Sequence, residues 1–523
     1  MSKTNFELLK DLLEDNKDTE YGKKYNFSQI NSIEDYKKQV PLSEFSDYQS
    51  YVDRMYKGEK NVLTVYPIVN YHISSGTTGP QKVIPISLKA FEKSENIAKK
   101  YVQSITIQKN EKEKSIFMGV IRIDLDKGID KILLLSEAYF YSMYKSGLMD
   151  FNKYIDKDII FDPETTDYYY EKVWCGVIEE NIISFDSNFM YGNLQFFTYF
   201  EENYKEIISD IRNHRINPKM NISEKAKKFL LSMKFSEERL NFVEKECAKG
   251  FKAIAKRIWP NFRLVSGVST KSLIFQNDSL DYFTGNADKD GVVFGMSEGL
   301  IGNPIGYNTY SYLLDPTSGF YEFMPYSDDE ENNSNETLCL NEIKPGKKYE
   351  IILTNFSGFY RYRTGDIIEI VSNDSKGLIF EFFIRTNGKL NVTGEKTNSS
   401  HLEEVMKQMH TIIPNILDYK LGATIYNGIA TYFLFLNLLD KNEVKIPLEE
   451  IIKKFDIWMG KANELYEMLR IIKALADPKV ILLDTKEYNK LFQVDPKKKK
   501  HNKAQVLIQD PAMKEILKNL KNI

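Results

Sequence analysis

Residues 74–82 read Ser-Ser-Gly-Thr-Thr-Gly-Pro-Gln-Lys. Small hydroxylated residues alternate with glycines, and a lysine closes the segment. A strand-like run, Val65 to Ile73, leads in, and Val83-Ile84-Pro85 leads out. The segment is therefore a loop between extended elements. Glycines let backbone N–H groups and hydroxyls approach phosphate oxygens without side chains in the way. The spacing is not that of a Walker A loop. Taken alone, the loop fits a solvated turn and a phosphate cradle equally well.

Length and composition narrow the partners. A chain of 523 residues exceeds the size of a single core, so two or more domains are expected. Apolar residues make up 42% of the chain, and 33 Tyr and 32 Phe point to aromatic-rich packing. The net charge of -3 gives no basic excess for nucleic acid. Cys175, Cys247 and Cys339 are far apart and form neither a disulfide framework nor a zinc spacing. The histidines show no H-E-x-x-H pattern. Met1 to Glu14 reads as an amphipathic helix with charges throughout rather than a leader peptide. No apolar run approaches the roughly 18 residues that a membrane span needs. The expectation is a cytoplasmic monomer with no membrane or nucleic-acid partner.

Helix and strand signals alternate along the chain, which favours an α/β layer architecture. Short helices with polar joints fill residues 4–60, punctuated by Ser32 with Asp35 and by Pro41-Leu42-Ser43. A helix is expected over 86–108 and a long helical stretch over 222–258. In the latter, Leu240, Val243, Cys247, Phe251, Ile254 and Ile258 recur at three- and four-residue spacing. Phe262 to Val268 and Gly291 to Phe294 are strand candidates. The second runs into Gly295-Met296-Ser297-Glu298, which suits a ligand site at a strand end as well as a plain exposed glutamate.

Tyr349 to Asn355 and Phe359 to Arg363 read as a hairpin about Ser357-Gly358. Thr364-Gly365-Asp366 then forms a turn before a strand over Ile367 to Val371. Such an aspartate can accept hydrogen bonds from vicinal hydroxyls, or serve only its own turn. Arg385 to Gly394 has the composition of a hinge. Beyond it come a helix over His401 to Met409 and a hairpin at Asn427-Gly428. A long helix opened by Pro447 carries apolar residues through Tyr466 and Leu469. Lys497-Lys498-Lys499-Lys500-His501 reads as a solvated loop or as a mobile loop that meets an anionic substrate.

These segments resemble, in order, the motifs of the adenylate-forming superfamily. The matching stretches are Ser74-Ser75-Gly76-Thr77-Thr78-Gly79, Phe294-Gly295-Met296-Ser297-Glu298, Tyr362-Arg363-Thr364-Gly365-Asp366, and Arg385 with Gly394-Glu395. Within it the chain is most similar to the auxin-responsive (Gretchen Hagen) acyl-acid amido synthetase family. That likeness rests on Thr19-Glu20-Tyr21-Gly22, Asp35-Tyr36 through Val40-Pro41-Leu42, Phe320-Tyr321-Glu322-Phe323 and Leu353 through Arg363. Asn463, Tyr466 and Arg470 extend it to nearly the whole chain.

The resemblance implies an α/β fold. A large multi-sheet N-terminal acyl-adenylate-forming domain (1–388) is joined to a smaller, mobile α+β C-terminal domain (389–523), with the active site between them. It implies an AMP-forming ligase that uses ATP and Mg2+, a small carboxylic acid and an amine or amino acid. The rival readings are an acid–thiol ligase using CoA or a carrier protein, and a non-catalytic nucleotide-binding relative. Activation is needed because a free carboxylate has no adequate leaving group. Its attack on the α-phosphate makes AMP the leaving group, and catalysis is then mostly orientation and electrostatics.

The same resemblance implies roles. The loop Ser74 to Gly79, with Ser75, Thr77 and Thr78 foremost, and Lys82 would steady the phosphates. Ser297 would meet the α-phosphate and Glu298 would hold Mg2+. Phe294 would lie against adenine beside Gly295, and Asp366 would bind the ribose hydroxyls, with Arg385 assisting. Three positions depart from the family pattern. Phe294 stands where tyrosine is usual, and Met296 where a small residue is usual. The C-terminal glutamine-aromatic-lysine pattern is poorly matched at Gln505-Val506-Leu507, leaving Lys503 or the Lys497–Lys500 cluster to supply the charge.

Overall fold

The computed structural model describes residues 2–73, 82–104, 113–118, 159, 162, 164–268, 280–326, 336–385, 390–397, 399–492, 507–508 and 510–520. The described residues fall into two units, one within 2–385 and the other within 390–520.

In the first unit, β1 (Ile68–Ile73) and β2 (Val83–Ser87) form an antiparallel pair, with Ile73 opposite Val83. The serine-threonine-glycine segment thus joins two paired strands, although the segment itself lies outside the described residues. The helix Leu88–Ser104 follows. A second sheet holds β3 (Lys114–Phe117), β4 (Ile182–Phe189), β5 (Leu264–Val268) and β6 (Asp288–Asp290), in that order and all parallel. Parallel neighbours need long crossovers. The one between β4 and β5 is built of helices over Met190–Arg212, Glu224–Ser232, Glu237–Ala248 and Ile254–Ile258.

The continuous helical stretch expected over 222–258 is thus three helices. Ser236 caps the second by accepting from Arg239 N, and Gly250 and Ala253 take positive φ of 92° and 53° before the third. The apolar residues of that stretch are nonetheless buried as their spacing indicates.

The third sheet has eight strands: β7 (Phe294–Met296), β8 (Gly299–Pro304), β9 (Ser311–Leu314), β10 (Phe320–Tyr326), β11 (Leu338–Cys339), β12 (Lys348–Thr354), β13 (Tyr362–Asp374) and β14 (Gly377–Arg385). Their spatial order is β11-β10-β12-β13-β14-β9-β8-β7. The strand expected over Gly291 to Phe294 begins only at Phe294. The expected turn at Thr364 to Asp366 is not a break between strands, because β13 runs through it.

The N-terminal helices pack against this sheet. Thr19 and Ser32 cap two of them, accepting from Gly22 N at 2.9 Å and Asp35 N at 3.0 Å. Tyr21 stacks on Tyr360 with ring centroids 4.9 Å apart. Tyr36 shares a 2.8 Å hydrogen bond with Thr354 Oγ1. The buried Arg361 guanidinium donates to Glu322 at 3.0 Å and to the carbonyls of Lys37 and Val40. The separated stretches that carry the family likeness, 19–22, 35–42, 320–323 and 353–363, therefore meet in one core. Thr19 to Gly22, to which the sequence assigns no chemistry, is a packing element.

The second unit is a four-stranded sheet, β15 (Ile416–Tyr426), β16 (Ile429–Leu438), β17 (Lys479–Asp484) and β18 (Leu507–Ile508), ordered β17-β16-β15-β18. Asn427 and Gly428 both have positive φ and link Tyr426 to its partner Ile429, as a type I′ turn requires. The helix after Pro447 ends at Ala462. Asn463 then turns extended and caps a second helix, Glu464–Ile471, by accepting from Leu465 N and Tyr466 N. Buried Glu395 accepts from Val392 N and Thr393 N at 2.7 Å, and Tyr432 OH lies 3.2 Å away. Burial pushes its carboxyl above the usual range, while those backbone bonds hold it down.

Candidate active site

Met296 pairs with Gly299, so Ser297 and Glu298 are the two residues of a tight turn between β7 and β8. Glycine at 299 has a φ of 143°, which frees the backbone to leave the turn. Three distant elements hold this turn. His72 Nδ1, on β1, lies 3.1 Å from the Ser297 carbonyl oxygen. Asn355 Nδ2, just past β12, donates to the Glu298 carbonyl at 3.4 Å. Ser94 Oγ, on the helix after β2, accepts from Leu300 N at 3.2 Å. Asn355 is itself oriented, since its Oδ1 accepts from Ser357 N and Phe359 N. The turn is thereby set in place by residues from three parts of the chain, and Glu298 is buried.

Burial depresses His72 to about 4, against the weaker upward pull of its bond to Ser297. The imidazole is therefore neutral. Only a protonated Nδ1 can satisfy a carbonyl, so Nε2 carries the bare lone pair.

Asp366 is placed by a bulge. Ile352 pairs with Arg363 and Glu350 with Ile367, so residues 364–366 face the single residue Ile351. Gly365 supplies the positive φ, 73°, that such an insertion needs. Buried Glu350 pins it, accepting from Gly365 N at 3.1 Å and from Arg363 Nη2 at 2.7 Å. Thr364 Oγ1 donates to Ile351 O at 2.8 Å and accepts from Asp366 N at 3.1 Å. Asp366 is buried, and it pairs in register with Arg385, the last residue of β14.

Phe294 packs its ring against Tyr312 and Phe380, each 5.2 Å between centroids. Met296 is buried in the same core, so its side chain belongs to the sheet's packing. Lys82 holds its ammonium 5.5 Å from the Phe45 ring centroid and 6.0 Å from that of Tyr362, a cation–π arrangement. Ser74, Ser75, Gly76, Thr77, Thr78 and Gly79 lie outside the described residues, as do Lys497 to Lys500, Lys503 and Gln505. The structure thus brings Phe294 through Glu298, Asp366 and Arg385 onto one sheet, with Lys82 at the start of β2's approach. Sequence reasoning missed His72, Asn355 and Glu350. One signal was available for His72: it follows Asn70 at the two-residue period of a strand, which places both on one face.

Among the described residues no group of three or more His, Cys, Asp or Glu side chains is arranged to hold a metal. Mg2+ commonly takes one or two carboxylates and completes its shell with phosphate oxygens and water. A single oxygen ligand at Glu298 fits that habit.

The eight-stranded sheet with the parallel sheet beside it in the chain is shared with solved ligases. A GH3.15 acyl acid amido synthetase structure matches 99% of this chain and 93% of its own, with a TM-score of 0.65 at 20% identity. A 2-hydroxyisobutyryl-CoA ligase matches 100% and 92%, with a TM-score of 0.56 at 11% identity. The fold is that of the adenylate-forming class. The GH3 family N-terminal domain matches residues 1–289 and the GH3 family central domain matches 312–385. The chain belongs to the GH3 family. Its relatives include the indole-3-acetic acid-amido synthetase GH3.3 of Arabidopsis thaliana, 22% identical over 89% of this chain and 81% of that protein. Another is the jasmonoyl–L-amino acid synthetase GH3.5 of Oryza sativa subsp. japonica, 27% identical over 76% and 73%.

Proposed function

We propose that the protein is an ATP-dependent acyl-acid amido synthetase. It joins a small carboxylic acid to an amino acid or another amine. The observation that carries this reading is the turn Ser297–Glu298, held from three elements in a GH3 chain whose sheet also presents Asp366 on a pinned bulge.

In the first half-reaction a carboxylate oxygen bonds to the α-phosphorus of ATP, and pyrophosphate leaves. In the second, an amine nitrogen bonds to the acyl carbon, AMP leaves, and the nitrogen gives up a proton. Asp366 accepts from the ribose hydroxyls, with Arg385 beside it in register. Ser297 donates to the α-phosphate. Lys82 and the Ser74 to Gly79 loop hold the departing phosphates, with Phe294 and Gly295 at the base. Glu298 would hold Mg2+, which supplies charge neutralisation on the phosphates.

The domain division proposed is 1–388 for the acyl-adenylate-forming part and 389–523 for a mobile C-terminal part. Cys175, Cys247 and Cys339 form no disulfide, which suits a reducing compartment, and cytoplasm is the location proposed. Among the described residues no helix is long and apolar enough to cross a membrane.

A screen of acids against amines with ATP and Mg2+, read by product mass, tests the reading. An N-acyl amide with AMP and pyrophosphate supports it. A thioester formed on adding CoA, with no amide from any amine, replaces it with the thiol ligase. ATP binding without pyrophosphate release for any acid replaces it with a nucleotide-binding relative.

A further inference from the structure

His72 is 3% exposed, lies on β1 immediately before the serine-threonine-glycine loop, and has no role in the site as the family motifs define it. Its Nε2 is buried with no hydrogen-bond partner among the described residues. A buried imidazole that leaves one nitrogen unpaired is a costly choice for a strand position, where an apolar residue would pack without that loss. The described structure shows one return for it, the bond from Nδ1 to the Ser297 carbonyl at 3.1 Å. That bond joins the strand leading into the loop to the turn carrying Ser297 and Glu298.

We propose that His72 is a positioning residue for adenylation: its Nδ1–H fixes the Ser297 carbonyl, and so holds the Ser297–Glu298 turn in register with the strand that carries the loop. The proposal rests on the function proposed above. A backbone carbonyl can only accept, so the geometry puts a proton on Nδ1, and in the neutral ring Nε2 then carries none. Displacement of a positioning contact by about 1 Å can cost on the order of 100-fold in rate, so a single bond of this kind has a measurable kinetic effect.

Two substitutions separate positioning from packing. Asparagine places an amide nitrogen near the position of Nδ1, whereas phenylalanine keeps the ring and loses the donor. In acid-dependent ATP–pyrophosphate exchange, His72→Phe is expected to lose on the order of 10- to 100-fold in kcat and to raise the KM for ATP. The KM for the acid and the thermal midpoint should stay close to those of the parent protein. His72→Asn should recover most of that loss. Exchange kinetics unchanged in His72→Phe would overturn the proposal. So would an equal loss in His72→Asn at preserved stability.

A second readout needs no turnover. In histidine-15N-labelled protein, the slowly exchanging buried imidazole should show a one-bond proton coupling on Nδ1 and a bare-nitrogen shift on Nε2, and His72→Phe should remove that signal. A proton on Nε2 instead would overturn the proposal. A chain that shows the expected tautomer yet adenylates no acid would sink the function and leave the hydrogen bond standing.

Discussion

The buried carboxylate of Glu350 accepts the backbone N–H of Gly365 at 3.1 Å. The same carboxylate holds Arg363 at 2.7 Å, so one side chain on β12 fixes the bulge that aims Asp366 from β13. Glu350→Gln keeps the shape and removes the charge. Hydrogen bonds to charged groups contribute about 1.5–3 kcal/mol, and Arg363 is one-third exposed, so the expected loss is about 1–2 kcal/mol of stability. Urea unfolding measures it. The KM for ATP should rise in the same variant, because Asp366 loses its fixed aim, while the KM for the acid should not.

That bulge shows where sequence reading stops. Thr364-Gly365-Asp366 has the composition of a turn, and glycine serves a turn and a bulge alike. What decides between them is Glu350, and Ile351 facing three residues on β13. The Asn427-Gly428 hairpin was legible because its two positive φ values are a local demand met by local residues. The site motifs were legible as types in order. Their anchors were not, since His72 meets Ser297 across 225 residues of chain and nothing near either residue announces the other. The breaks at Gly250 and Asn463 escaped the apolar spacing, because buried residues continue on both sides of each.

Gly22 tests the packing role of the N-terminal stretch. A Cβ there would sit 2.1 Å from the Asn16 carbonyl oxygen, a backbone atom that cannot swing away. Gly22→Ala is expected to destabilise by about 2–3 kcal/mol, at the upper end for overpacking. Thermal unfolding should show a clear drop in midpoint. An unchanged midpoint would mean that the helix Glu20–Lys24 is free to shift.

Asp290 predicts a pH dependence. Burial lifts its carboxyl from 3.8 to about 6, although the Tyr101 hydroxyl, 2.6 Å away, and the Val292 N–H pull it down. The folded state therefore binds the proton more tightly than the unfolded chain. Its stabilising contribution is full below about pH 3.8 and is lost as pH rises to about 6. The loss amounts to about 3 kcal/mol at neutral pH. Asp290→Asn should gain about 1–3 kcal/mol at pH 7 and little below pH 4. Urea melts of both proteins at the two pH values check the sign, and a gain confined to acid pH would reverse the argument.

Glu298→Gln tests the metal assignment. The amide fits the same turn and offers a weaker oxygen ligand to Mg2+. Pyrophosphate exchange should fall on the order of 10²–10³-fold at limiting Mg2+, the scale of losing one electrostatic donor. Raising Mg2+ should recover part of it. A loss insensitive to Mg2+ would assign Glu298 another role.

The most direct measurement follows the phosphates and the acyl group together. The protein is incubated with ATP, Mg2+, a panel of small carboxylic acids and the amino acids, and all products are weighed by mass spectrometry. The account predicts AMP, pyrophosphate and one N-acyl amino acid in equal amounts, with Asp366→Ala forming little of any. ADP and phosphate as the nucleotide products, or amide formed undiminished by Asp366→Ala, would contradict it.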